Sequence, residues 1–255
     1  MEKIDKLDNT QKDWAYKALK WITCAVRPLK SKELLQATAI EPWSSTFEPS
    51  RMSNIAYLIE TCCHLVTLDE HQGVVRFVHY SVQEFLQSRS EFSGTQELVA
   101  SICITSLGLW QEFMTWKEEY SIYVAGRIDI YAAENWQLHV KQLSTVSIRQ
   151  LLPLIQKIFS DFRNFRQWHS MYRPLVLDKR PRVPFSKAPA YLAVCSFFEI
   201  TTAVALFLQD ETTEPVVKQY ALRAAAAAGS QESVQLLLEN QVNINARKGE
   251  DGNAL

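Results

Sequence analysis

Residues 74–86, VVRFVHYSVQEFL, pass from strand to helix with no linker between them. The first half is β-branched and aromatic, as strands favour. The second half has apolar residues at helical spacing. A chain with this switch must set a small sheet directly against a helix. The same stretch puts His79 two residues before Ser81, and Glu84 three beyond it. Alternation along a strand sends His79 and Ser81 to one side, as a Ser/His pair would need. A nucleophilic serine also needs a poised base and an oxyanion hole, and no glycine is nearby to form a sharp elbow. Ser81-Val82-Gln83-Glu84 instead has the S-x-x-E form of a capping box. Ser81 is predicted to accept from the Glu84 amide, and Glu84 to reach back to the Ser81 amide. His79, Ser81 and Glu84 are therefore read as structural. Ser81→Ala should cost about 1 kcal/mol of stability and no activity.

Upstream of this stretch the chain reads as three short helices. Thr10–Asp13 has the form of a capping box, and Trp14, Ala18, Trp21, Ile22 and Ala25 follow at helical spacing. Pro28 ends that run. Ser31 is placed to cap a second helix with Leu34 and Leu35 inward. A loop with two prolines, 41–50, leads to a third helix carrying Ile55, Leu58, Ile59 and Cys62 on one face. Strand, turn near His71–Gly73, and strand come next. Helix–helix–helix–hairpin–helix is the order of a winged helix.

The chain has 255 residues, 47% hydrophobic and 22% charged, with net charge −1. That is long enough for two domains with buried cores, and disorder is not expected. The near-neutral balance gives no global drive toward nucleic acid or acidic lipid. Five cysteines, odd in number and with no C-x-x-C pair, do not make a disulfide framework or a zinc site. Cys62-Cys63-His64, with His71 the one other near candidate, lacks metal-ligand spacing. Free thiols fit a reducing, cytoplasmic setting, and the charged start is not a signal peptide.

Residues 95–172 read as a helical, aromatic-rich connector. Residues 173–189 read as a Pro/basic linker holding KRPR at 179–182, a motif more often solvated surface than nucleic-acid contact. Residues 190–208 carry one charge, Glu199. In a bilayer Glu199 would sit near the middle, at roughly 2.5–3.5 kcal/mol. Two short buried helices are predicted instead.

Leu192 precedes Leu206, and Leu222 precedes Leu236, by the same 14 residues, and the two copies are offset by 30. The second copy, YALRAAAAAGSQESVQLLLENQVNINA, resembles an ankyrin repeat. Tyr220–Arg223 stand where that family has T-P-L-H, Gly229 ends the first helix, and VNINA matches the connecting loop. Arg223 lacks the usual histidine bond, which predicts a looser turn there. Glu199 replaces the helix-ending glycine in the first, degenerate copy. Leu255, 33 residues after Leu222, begins another copy, so the chain reads as truncated relative to the family.

The first part resembles the winged helix that follows the NACHT domain in fungal NOD-like receptors, a winged-helix type named after GPI inositol-deacylase. The residues that carry this are Trp21, the Arg27-Pro28-Leu29 turn, and His79-Tyr80-Ser81-Val82-Gln83-Glu84-Phe85-Leu86. YAAENWQLH, 131–139, matches a second signature, Y-A-A-x-x-W-x-x-H. Eight residues put Tyr131 and His139 on one helix face, with Trp136 nearer Ala132 and Ala133. His139 is expected to be hydrogen-bonded in an aromatic core.

The resulting expectation is a mainly α chain. It has a polar N-terminal segment (1–13), a winged helix with a small β-hairpin (14–92), a helical connector (95–172), a linker (173–189) and ankyrin-like helix pairs (190–255). There is no G-x-S-x-G elbow and no phosphate loop, so a non-enzymatic interaction fragment without cofactor or metal is expected. The resemblance implies a NACHT NTPase domain and a protein bound by the ankyrin repeats as partners, with no membrane. Structural roles are expected for Ser81, Glu84, His79, Trp136 and Gly229, and partner binding for Arg247 and Lys248. A DNA-binding winged helix is the alternative. Its reading helix, 51–63, offers Arg51 alone against Glu60, which argues against nucleic acid as a partner of the winged helix.

Overall fold

The computed structural model describes residues 1–115, 126–175 and 189–243. The chain divides into two compact units, 1–139 and 140–255. Among the described residues the fold is mainly helical with one small antiparallel sheet.

In the first unit, α1 (Glu2–Asp5) precedes α2 (Asn9–Cys24). Ile4 is buried, so the polar start belongs to the fold. Asp8 caps α2, its carboxylate accepting from the Gln11 amide at 2.9 Å. The cap falls two residues before the predicted Thr10, because Asp8 is extended and can turn its oxygen onto the first free amides. β1 (Leu29–Lys30) leads straight into α3 (Ser31–Ala39). Lys30, not Ser31, holds the cap position, and Glu33 accepts from the Lys30 amide at 2.8 Å. α4 (Ile55–Thr61) is capped by Asn54. β2 (Val66–Asp69) and β3 (Val74–Phe77) form the hairpin. Its turn needs the left-handed Gly73, φ +66°.

The sheet order is β1-β3-β2. Leu29 and Leu68 flank Val75. β1 carries no strand signal in the sequence; its two residues pair because β3 has an open edge there. α5 (Tyr80–Gln87) follows β3. Leu19, Trp21, Leu34, Leu58, Cys62 and Leu86 are fully buried and form the core. Then come α6 (Thr95–Gly108), α7 (Trp110–Thr115) and α8 (Ile128–Val140).

In the second unit, α9 (Thr145–Ser160) and α10 (Phe162–Leu175) make a hairpin. Ser144 caps α9 through the Ser147 amide. Asp161 breaks the two helices apart and accepts from the Arg163 amide at 2.7 Å. Residues 190–208, considered above as a membrane span, form two short helices, α11 (Tyr191–Phe197) and α12 (Thr201–Leu208). No helix among the described residues is long and apolar enough to cross a membrane. α13 (Pro215–Ala228) and α14 (Gln231–Glu239) form the next pair.

The two pairs keep the thirty-residue offset: α12 begins at Thr201 and α14 at Gln231. Glu199 (φ +55°) and Gly229 (φ +71°) occupy the same left-handed corner in each. The predicted looser turn at Tyr220–Arg223 is not there. Those residues lie in the middle of α13, because Pro215 at its first position starts the helix five residues earlier.

Candidate functional site

The first unit concentrates its long-range polar contacts where α2 ends and β1 begins. Pro28 forbids a further helical turn, so the chain leaves α2 at Cys24 with Ala25 extended. The Val26 amide then has no partner in its own helix. Tyr131 of α8 supplies one, its hydroxyl accepting at 2.9 Å. The same hydroxyl lies 2.8 Å from Nε2 of His139. Val26 donates to the phenolic oxygen, and the hydroxyl and Nε2 share one hydrogen bond, so the ring nitrogen left over is Nδ1. That nitrogen is buried with no hydrogen-bond partner among the described residues. Burial lowers the His139 pKa to about 4 and raises that of Tyr131, so both are neutral near pH 7. Trp21 packs edge-on to both rings, with centroids 5.8 and 6.5 Å away. Trp136 is also fully buried.

Arg27 closes the cluster from outside. Its guanidinium makes two 2.9 Å bonds to Glu33, lies 3.5 Å from Glu134 and sits 5.0 Å from the centre of the Tyr131 ring. The Glu33 bonds, first of all, raise the Arg27 pKa. Glu33 is only 2% exposed, and an unpaired carboxylate there would be costly. Further along, Gln36 of α3 accepts from the Ile128 amide at the start of α8 at 2.9 Å. Beside it, buried Asp129 pairs with Arg127, and desolvation still raises its pKa. Sequence spacing found Tyr131 and His139 but not Arg27, Glu33, Gln36 or Glu134 as their partners. What the arrangement can do is fix α8 against the winged helix. Its rings are shut from solvent and present no reactive atom at the surface.

His79, Ser81 and Glu84 are all exposed. His79, still extended at φ −151°, is itself the cap of α5, and its Nδ1 accepts from the Ser81 amide at 3.2 Å. The Ser81 hydroxyl lies 2.7 Å from the same nitrogen. The predicted Ser81–Glu84 capping box is therefore corrected. The extended backbone runs on from β3 to His79, so Ser81 is already inside the helix and its amide is taken. A groove of about 350 Å³ runs beside them, lined by Val26, Pro28, Val75, Phe77, Tyr80 and Gln83. Gln83 also donates to the Thr23 carbonyl, tying α5 to α2.

Cys62 is buried, and burial raises its pKa to about 12. Among the described residues no group of three His, Cys, Asp or Glu could hold a metal. Of the proposed DNA-reading helix, Arg51 is ion-paired to Glu41, and α4 exposes Ala56 and Glu60. Gly229 ends α13, its amide donating to Ala226 at 3.1 Å. Arg247 and Lys248 lie outside the described residues, as do KRPR and most of VNINA. The sequence also understated Glu199: its carboxylate accepts from the Glu232 amide at 3.2 Å, capping α14 from the preceding pair. Ser230 donates back to the Phe197 carbonyl at 2.9 Å.

Residues 2–96 match the family model of the GPI inositol-deacylase winged helix domain. The match begins inside α1 and stops as α6 starts, so it contains the three-helix core, the sheet and α5. The α8 half of the cluster lies beyond it. Comparison with curated proteins and with solved structures gave no match.

Proposed function

We propose that the chain is a non-enzymatic regulatory and protein-interaction segment of the NOD-like receptor type. The winged helix packs on a NACHT nucleotide-binding domain, and the helix pairs α11–α14 act as ankyrin-like repeats that hold a protein partner. The observation that carries this reading is the family match at 2–96 together with the Arg27–Tyr131–His139 cluster. The turn and the Y-A-A-x-x-W-x-x-H stretch on which the resemblance rests meet there in space. The stacked pairs support the repeat half through their shared left-handed corner and cross-pair bonds, since repeat proteins bury their faces only against neighbours.

The test is to titrate the purified chain into a NACHT NTPase domain from a fungal receptor and follow ATP turnover. Turnover is expected to fall as a complex forms, and the chain alone should hydrolyse no ATP above background. ATP hydrolysis by the chain itself, or turnover unmoved at saturating chain, would overturn the reading.

A further inference from the structure

The near-zero net charge of the chain hides a strong local imbalance. Between residues 140 and 175 there are six Lys or Arg and one carboxylate, Asp161, against −1 for the whole chain. These residues are the α9–α10 hairpin and its lead-in. Arg149 and Lys157 are exposed on α9, and Arg163 and Arg166 on α10. Asp161 reaches only Arg163, at 3.3 Å. Arg149, Lys157 and Arg166 have no ion-pair partner among the described residues. Past Val146 the exposed residues of α9 are Arg149, Gln150, Pro153, Gln156, Lys157 and Ser160, all polar or cationic but for the proline.

We propose that the exposed side of the α9–α10 hairpin binds the phosphate backbone of a nucleic-acid duplex without reading its sequence. Charge complementarity selects a polyanion. A lipid surface fits less well. A basic helix on a membrane needs an apolar face to insert, and the apolar faces here are spent inside the unit, with Ile148, Leu151, Leu154, Phe165 and Trp168 all buried. The exposed apolar side chains Val146 and Phe162 stand on different helices, one in the first turn of α9 and the other at the first position of α10, and do not make one apolar helix face. A single strand fits less well too, because it is held by bases stacked on exposed aromatics. Among the described Phe, Tyr and Trp side chains of the hairpin only Phe162 is exposed; Trp168 is buried and Tyr172 lies flat on it, at 5.4 Å and 14°. Backbone contact to a duplex needs neither insertion nor stacking. The surface lies in the second unit and is independent of the winged helix, whose α4 exposes no cation.

The experiment uses the full chain and a fluorescent 30-base-pair duplex of random sequence, read by anisotropy across a salt series. Binding is expected, insensitive to sequence, with affinity falling as salt rises. Replacing Arg149, Lys157, Arg163 and Arg166 together by Gln should weaken it at least tenfold and reduce the salt slope by about 3–4, near one per lost phosphate contact. The matched quartet Lys3→Gln, Lys6→Gln, Lys20→Gln and Lys30→Gln should leave it within about twofold. Thermal melts of both quartets check that the fold is kept. No duplex binding, equal loss in the two quartets, or binding to anionic vesicles in place of duplex would each overturn the proposal.

Discussion

Tyr131 does two jobs with one oxygen, and a single atom can be removed to measure them. Tyr131→Phe keeps the ring under Arg27 and against Trp21 but orphans the Val26 amide and the His139 ring nitrogen. It should cost about 1–3 kcal/mol, read as a lower urea midpoint at unchanged m-value. His139 gives the second prediction. Its folded pKa, about 4, is below its ordinary value of 6.5. Between those limits the unfolded chain binds more protons, so stability falls as pH drops from 6.5 to 4 and levels off below. The full drop is roughly 3 kcal/mol. Carboxylates such as Asp5 and Glu41, whose pKa values are lowered, add acid sensitivity of their own. The measurement is therefore the difference between the wild type and His139→Gln, whose stability should lack the 6.5-to-4 slope. Equal slopes would remove His139 from the account. The i, i+8 spacing made this pair legible in the sequence, since it follows from helix geometry alone. Arg27 was not legible as its lid. Its partner Glu134 is 107 residues away, and no local pattern encodes that approach.

At the scale of elements, local signals placed most helices and the hairpin but misassigned several caps. Ser-x-x-Glu at 81–84 is a good cap pattern, yet the cap position is fixed by where the backbone leaves the extended region. β3 pairs with β2 as far as Phe77, the Val78 amide still bonds to Leu65, and the backbone stays extended to His79. His79→Ala should therefore destabilise by about 1 kcal/mol and Ser81→Ala by less, with the two compared by thermal melts. The opposite order would restore the capping box. The corner between paired helices separates two effects at one residue. Glu199 is left-handed, which costs a side chain about 1 kcal/mol, and it also caps α14. Glu199→Gly and Glu199→Ala both lose the cap, but only Ala keeps the backbone cost. The Ala variant should be the less stable by about 1 kcal/mol. Gly229→Ala, at φ +71° with no atom near the added methyl, should lose a similar amount. Sequence pattern marked Gly229 as a helix end. It could not show that Glu199 caps the following pair, because that bond exists only once the pairs stack.

At the scale of the whole molecule, the boundary of the family match and the boundary of the compact unit differ. The winged-helix match ends at residue 96, while the first compact unit runs to 139. The difference has named consequences. Cut at 96, the chain would leave the Val26 amide without an acceptor and Trp21 without Tyr131 and His139 against its ring. Arg27 would keep Glu33 but lose Glu134 and the ring beneath it. Gln36 would lose the Ile128 amide. Each loss falls on the face of α2 and α3 that α8 covers, so the penalties add on one side of a small core. A domain of fewer than 100 residues has only a few kcal/mol to spare. A fragment of residues 1–140 should unfold in one cooperative urea transition, and a fragment of 1–96 should unfold at a clearly lower midpoint or lack a sharp transition. Matching midpoints would mean that α8 rests on the winged helix without stabilising it, and the Arg27–Tyr131 cluster would then have to act through a partner rather than through the fold.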